Sequence, residues 1–268
     1  MKKFFKKPLV VLMSLFVLST LISGCGNTQP AGTDKTADAV LQKIKETKTL
    51  TVGTDATFPP FEFKNGKNEY DGFDIDLVKA VAKQMGADKV EFVDTEFKGL
   101  IPGLQGHKFD MIVSAMYITD ERKQTIDFSD TYYPGGLAIM VKKDNDQIKG
   151  ADDLNGKKVA VQIGTKSDKF LQEKYPNAKL VQVEKNIEMF LSLESGRADA
   201  VVTGMPAAKV YAKQNSTVKV LEQPITHEDY GYGIRKENAE YTAAVNKALK
   251  DLKANGQYQA IVEKWFGK

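Results

Sequence analysis

The segment GTDATFPPFEF, residues 53–63, sets one carboxylate, Asp55, among Phe58, Phe61 and Phe63, with Glu62 close behind. A carboxylate beside aromatic faces can pair with a cationic or amide-bearing group while the rings cover an apolar stem. Pro59 and Pro60 lack amide protons, and Pro59 pushes Phe58 into an extended conformation, so the segment cannot become a helix. Two readings stand open: a strand end whose rings plug into the core, or a binding wall with Asp55 as its charged element. A second feature is an echo, since Val52-Gly53-Thr54-Asp55 and Ile163-Gly164-Thr165-Lys166 both close a predicted strand in Gly-Thr. In parallel α/β sheets ligands gather at the carboxyl ends of strands, where backbone amides and helix N-termini point outward. Two such edges, one on each of two lobes, would face each other across a cleft.

The elements that must position these residues alternate along the chain. Residues 48–54 read as a strand. DGFDIDLVKAVAKQMG predicts a helix with Ile75, Leu77, Val78, Val81, Ala82 and Met85 on one face, Asp74 as N-cap and Gly86 as stop. Strands follow at KVEFVDT, FDMIVSAM and GGLAIMVKK, with a short Gly/Pro-broken helix at FKGLIPGLQGH and another helix starting at Thr119. A second series opens after DDLNGKK, with strands KKVAVQI, AKLVQV and DAVVTG and helices near 166–174, 186–196 and 206–214. Two helices close the chain. This rhythm predicts α/β architecture with mostly parallel sheets.

MKKFFKK followed by about fifteen apolar residues has the length of an export signal, short of the roughly twenty that span a bilayer. It ends in Ile22-Ser23-Gly24-Cys25, and Cys25 is the only cysteine. Small residues before a lone cysteine resemble the bacterial lipobox, which implies cleavage after residue 24 and lipidation of Cys25; Ile22 stands where that pattern most often has leucine. Residues 1–24 are thus expected to be removed, and 25–47 to be a lipidated N-terminus and linker. Without the signal's four lysines, 34 basic residues face 35 acidic ones, a net charge of −1. Composition therefore makes no case for nucleic-acid binding. An exported chain with no cysteine pair must rely on its core rather than on disulfides. No His/Cys/acid cluster has metal-ligand spacing, so neither metal nor cofactor is expected.

ITDERKQTIDFSDTYYPGGLAIMVKK, residues 118–143, closely resembles the signature of solute-binding proteins of bacterial polar amino-acid ABC importers, the family 3 type. GTDATFPPFEF, YDGFDIDLVKAVAKQMG, FKGLIPGLQGHKFDMIVSAM, LNGKKVAVQIGT, GRADAVV and NGQYQAIVEKWFG match further blocks in the same order, from about residue 48 to the end. The resemblance is closest to lipoprotein members that bind arginine and other basic amino acids. It implies a two-lobed periplasmic-binding-protein fold (type II) with two crossover strands as hinge, lobe 1 from 48–137 and 229–268 and lobe 2 from 138–228. It also implies an amino-acid ligand, an ABC permease with its ATPase as partner, a monomer without enzymatic activity, and attachment to the cell membrane. A lipid anchor suits a Gram-positive cell, where an untethered binder would diffuse away.

The resemblance assigns roles residue by residue. Arg122 falls at the carboxylate clamp, where a planar guanidinium fork can donate twice to one carboxylate; on spacing alone it would read as a solvated helix residue. Thr119 caps its helix. Thr165 and Lys166 complete the carboxylate site from the second lobe, so closure depends on ligand. Ser114, Ala115, Met116 and Tyr117 match the loop that receives the α-ammonium, the two middle residues through their backbone. Tyr117 departs from the small hydroxyl residue usual there. Phe58 and Phe97 flank the ligand side chain, Phe61 and Phe63 pack in the core, and Asp55 faces the side chain's far end. Gln162 stands where a glutamine-binding relative has lysine, which removes a repulsion against cationic ligands. Gly204 stands where relatives commonly place an aspartate for the α-ammonium; another acid, such as Glu184, or Ser114 with carbonyls must substitute.

The leading expectation is a binder of arginine, lysine, ornithine or histidine. The alternatives are a binder of glutamine or another polar amino acid, and an exported prephenate/arogenate-type dehydratase on the same fold. The dehydratase would need a positioned acid or base such as Asp55 or Glu62, since His107 and His227 lie outside the matched motifs.

Overall fold

The computed structural model describes residues 38–267. The expected signal segment, Cys25 and the start of the tether lie outside them. The end of the tether departs from expectation. Asp38 caps α1 (Ala39–Thr47) through its carboxylate, which accepts from the Val40 amide at 2.9 Å. Val40 and Ile44, one helical turn apart, are both buried. The same carboxylate also accepts from Asn238 and the Tyr241 amide, which ties α1 to a helix 200 residues on. Residues 39–47 are therefore part of the folded body, because a cap and an i,i+4 apolar pair suffice once a partner covers them.

The first series comprises β1 (Thr49–Thr54), β2 (Thr57–Phe58), β3 (Glu62–Lys64), β4 (Tyr70–Asp71), α2 (Phe73–Gln84), β5 (Lys89–Asp94), α3 (Leu100–Gln105), β6 (Met111–Ile112), α4 (Asp120–Thr125) and β7 (Asp127–Phe128). The second comprises β8 (Leu137–Lys142), β9 (Lys158–Gln162), α5 (Lys166–Lys174), β10 (Lys179–Val183), α6 (Asn186–Glu194), β11 (Ala200–Gly204), α7 (Met205–Gln214) and β12 (Val218–Val220). The chain then returns through β13 (Gly233–Ile234), α8 (Ala239–Ala254) and α9 (Gln257–Phe266).

Two five-stranded sheets result, ordered β5-β1-β6-β13-β7 and β10-β9-β11-β8-β12. In each, the strands joined through helices pair in parallel: β1 with β5 and β6, and β9 with β10 and β11. The other pairings are antiparallel. The sheets are therefore mixed rather than mostly parallel. A parallel neighbour needs a crossover, usually a helix, whereas β8 and β13 arrive directly from the opposite sheet and run the other way. The two connecting segments lie side by side, bridged at Tyr133 and Tyr230. Ile225 also donates its amide to the Leu137 carbonyl at 2.7 Å. These are the crossover strands that join the lobes.

The cores follow from the apolar runs. β9 and β11 read VAVQ and AVVTG and are buried along their length, as strands covered on both faces must be. On α2, Ile75, Leu77, Val78, Val81 and Ala82 are buried, each large aliphatic side chain contributing about 1.5–3 kcal/mol. Asp74 does not cap α2. Gly72 occupies the cap, and Asp74 sits in the first turn, fully buried and turned inward. The reason is tertiary: its Oδ2 accepts from the Ala115 amide at 2.8 Å and from the Tyr132 hydroxyl at 2.9 Å.

Candidate functional site

The carboxyl ends of β1 and β9 face each other and enclose a cavity of about 30 Å³. Phe58, Phe97, Ser114, Ala115, Tyr117, Gln162, Thr165 and Lys166 all line it. Eight expected site residues, drawn from both sheets, thus converge on one space. Arg122 borders the adjoining groove with Thr119, Gly164 and Thr165. Thr119 caps α4 by accepting from the Arg122 amide at 3.2 Å, which sets the start of the helix and aims the arginine. The guanidinium donates to the Tyr117 carbonyl at 2.8 Å and, across the cleft, to the Gly164 carbonyl at 3.4 Å. It lies 5.3 Å from the Phe97 ring centroid, within cation–π reach. Burial lowers its pKa to about 10, so it remains charged at neutral pH.

Asp55 and Met116 do not line the cavity. Met116 packs with Phe97 and Leu100, and its carbonyl accepts from the Gly231 amide at 3.1 Å. Asp55 is buried behind Gln162. It accepts from Gln162 Nε2 at 2.5 Å, from the Phe97 amide at 3.2 Å and from Thr57 Oγ1 at 2.8 Å. Burial raises its pKa despite those donors. Any influence of Asp55 on a ligand passes through the Gln162 amide and the Phe97 backbone. The Ala115 amide, too, is held by Asp74. Ala115 has φ 39°, a left-handed conformation that costs a non-glycine residue about 1–2 kcal/mol and marks a tightly constrained turn.

Phe61 is fully buried, stacked on Phe58 at 5.6 Å, whereas Phe63 is half-buried and edge-on to Trp265 at 5.9 Å. Tyr117 points at the hinge. Its ring stacks on Tyr230 at 4.4 Å, its hydroxyl donates to the Gly136 carbonyl at 2.9 Å, and it accepts from the Tyr230 hydroxyl at 2.8 Å. This pair accounts for Gly204. A Cβ there would collide with the Tyr230 hydroxyl and lie 3.1 Å from that of Tyr117. The two departures, a large residue at 117 and none at 204, are one packing solution. Glu184 stays at the rim, paired with Lys98 at 2.7 Å. His107 and His227 are exposed.

Sequence reasoning passed over Glu62 as a binding residue. It lines the cavity and is almost wholly buried. Ser114 Oγ accepts from the Asp55 amide at 3.0 Å and donates to Glu62 Oε1 at 3.1 Å. Glu62 Oε2 and Asp74 Oδ1 are buried without a hydrogen-bond partner among the described residues. Burial, with the nearby charges of Asp74 and Asp55, pushes Glu62 well above the usual carboxylate range, and burial raises Asp74 to about 7. The signal was present in FEF, where alternation along β3 turns Glu62 to the opposite face from Phe63.

Further contacts cross the cleft: the Asn186 amide donates to Thr57 Oγ1 at 3.1 Å, and Lys169 pairs with Glu121. Two α/β lobes around a cleft walled by aromatic rings and flanked by an arginine define a solute-binding architecture of the type II periplasmic kind. The chain belongs to the bacterial extracellular solute-binding proteins of family 3, whose description matches residues 50–268. The L-cystine-binding protein TcyJ of Escherichia coli is 33% identical over 232 residues, covering 86% of this chain and 87% of that one. An ancestral arginine-binding protein bound to arginine has a TM-score of 0.78 at 48% identity, covering 82% of this chain and 99% of its own. The ancestral amino acid-binding protein AncCDT-1, a precursor of cyclohexadienyl dehydratase, has a TM-score of 0.78 at 50% identity, covering 84% and 98%.

Proposed function

We propose that this chain binds a basic amino acid, arginine ahead of lysine, ornithine and histidine, and hands it to an ABC permease driven by its ATPase. It does so as a non-enzymatic monomer held at the outer face of the cell membrane of a Gram-positive cell by lipid on Cys25. Residues 48–137 with 229–268 form one lobe of the grip and 138–228 the other. Arg122 takes the ligand carboxylate with Thr165 and Lys166, and Phe58 and Phe97 sandwich the side chain. Gln162, backed by Asp55, meets its far end.

The observation that carries this reading is the Arg122 guanidinium at the mouth of a cavity walled by Phe58 and Phe97. Its bond to Gly164 is long, 3.4 Å, and made to a neutral carbonyl. A carboxylate offers a charged acceptor in the same place and competes favourably. A cavity of about 30 Å³ has room for about two waters, so an amino acid enters only when the lobes part. Relatives named for cystine and for arginine share the fold, which makes the ligand the point to test. Titration calorimetry across the twenty amino acids and cystine is expected to rank arginine first; tightest binding of cystine or glutamine overturns the basic ligand.

A dehydratase reading has one specific support, the Glu62 carboxyl in the cavity wall, which burial pushes well above the usual carboxylate range, a potential general acid. Steady turnover of prephenate or arogenate would establish it in place of binding.

A further inference from the structure

We infer that Glu62 is the cavity's ligand-contacting acid, the group that receives the α-ammonium of the bound amino acid. This rests on the amino-acid reading above, but not on which amino acid is bound.

Glu62 is the one acidic residue among the described residues lining the cavity. It is 1% exposed, so its carboxyl serves no solvent contact. Its neighbour in the cavity wall, Ser114, begins the turn whose far end, the Tyr117 carbonyl, holds Arg122. An amino acid carries its carboxylate and ammonium on one carbon. Its anion and cation sites must therefore lie close together, and the residues that touch Arg122 and Glu62, Tyr117 and Ser114, belong to one short loop. The second sheet offers no alternative: its lining groups, Gln162, Thr165, Lys166 and Thr203, are neutral or cationic. Position 204 has no room for an acid beneath the Tyr117 and Tyr230 hydroxyls. An ammonium in this space finds its counter-charge only across the cleft, at Glu62. Its arrival favours the ionised carboxyl and expels the proton that burial holds on Glu62.

The test is calorimetric titration of wild type and Glu62→Gln with L-arginine and with 5-guanidinopentanoate, which is arginine without its α-ammonium. Wild type is expected to prefer L-arginine. In Glu62→Gln the affinity for L-arginine falls about 10- to 100-fold, while that for 5-guanidinopentanoate moves less than about threefold, so the preference collapses. Equal losses for both probes would place Glu62 at the guanidinium, and an unchanged preference would remove it from the site; either overturns the inference. A wild type that binds L-glutamine but not L-arginine ends the basic-ligand reading alone, and L-glutamine against 4-carbamoylbutanoate then decides Glu62. Binding of no amino acid at all overturns both.

A second measurement needs no variant. The titratable groups facing Glu62 are Asp74 from α2, Asp55 beyond β1, and the Tyr132 and Tyr230 hydroxyls of the connecting segments. Calorimetry in buffers of different ionisation enthalpy is expected to show proton release with L-arginine and none with 5-guanidinopentanoate. Equal release by both ligands overturns the inference.

Discussion

The two faces of the cleft differ in how much of their polar surface is already committed. On the β1 side, Asp55 holds Gln162, Thr57 and the Phe97 amide, and Asp74 holds the Ala115 amide and Tyr132. Ser114 bridges the Asp55 amide and Glu62. On the β9 side the strand ends at Gln162, a turn follows through Gly164 with φ 78°, and α5 begins behind its Thr165 cap. Thr165, Lys166 and Ser167, the cap and first residues of α5, line the cavity, and a helix N-terminus favours an anion. One face is a rigid, internally bonded wall, and the other ends in a helix N-terminus that a ligand can complete. The difference suggests a division of labour in which the first face fixes geometry and the second responds to the ligand.

The most damaging change to that division is loss of the residue that spans it. Arg122→Ala is expected to cost about 2–5 kcal/mol of ligand affinity in titration calorimetry, since truncating one partner of a desolvated charge pair strands the other. Near-unchanged affinity would take the carboxylate away from Arg122.

The committed wall carries its own pH signature. Asp74 has a pKa of about 7 in the fold against an ordinary 3.8, through burial. The folded state therefore holds a proton that the unfolded chain has lost. Its stabilising contribution is complete below about pH 4 and is lost as pH rises through 7. Asp74→Asn keeps an acceptor for Ala115 and Tyr132, flattens that decline and gains roughly 2–4 kcal/mol over wild type at pH 8. Melting curves at pH 4 and pH 8 check the sign; equal differences at both would show that Asp74 ionises normally.

The open face depends on Gly204 staying bare. Gly204→Ala drives a methyl into the Tyr230 hydroxyl and is expected to destabilise by about 1–3 kcal/mol in urea. Adding Tyr230→Phe removes the colliding oxygen, so the double variant regains part of that loss. Simple additivity would separate the two positions. The smallest effect belongs to the rim. Lys98→Ala breaks an exposed pair with Glu184, and ligand affinity is expected to change less than about fivefold, with the difference vanishing at high salt.

Much of the fold was legible locally. Helix α5 starts and ends where its residues predict, 166–174, because Thr165 caps it and a single turn carries the signal. Thr119 and α4 follow the same rule. Residues 39–47 were misread as tether because their helix is completed by Asn238 and Tyr241, far along the chain. Asp74 was misread as a cap because a carboxylate at a helix start serves equally well as a cap or as a buried acceptor, and only Ala115 and Tyr132 distinguish the two.

The sequence by itself determined the family, the alternation of strands and helices, and most of the residues around the cavity, because these rest on local propensity and on ordered motifs. Which way those residues face was decided by the tertiary structure. Tyr117 turns toward Tyr230, 113 residues away, and so closes the space at Gly204. Asp55 is drawn behind Gln162, 107 residues away, leaving Glu62 as the acid in the cavity. The physical reason is that a buried polar side chain must find its partner wherever the fold brings one, and neither lobe of this cleft contains all of its own.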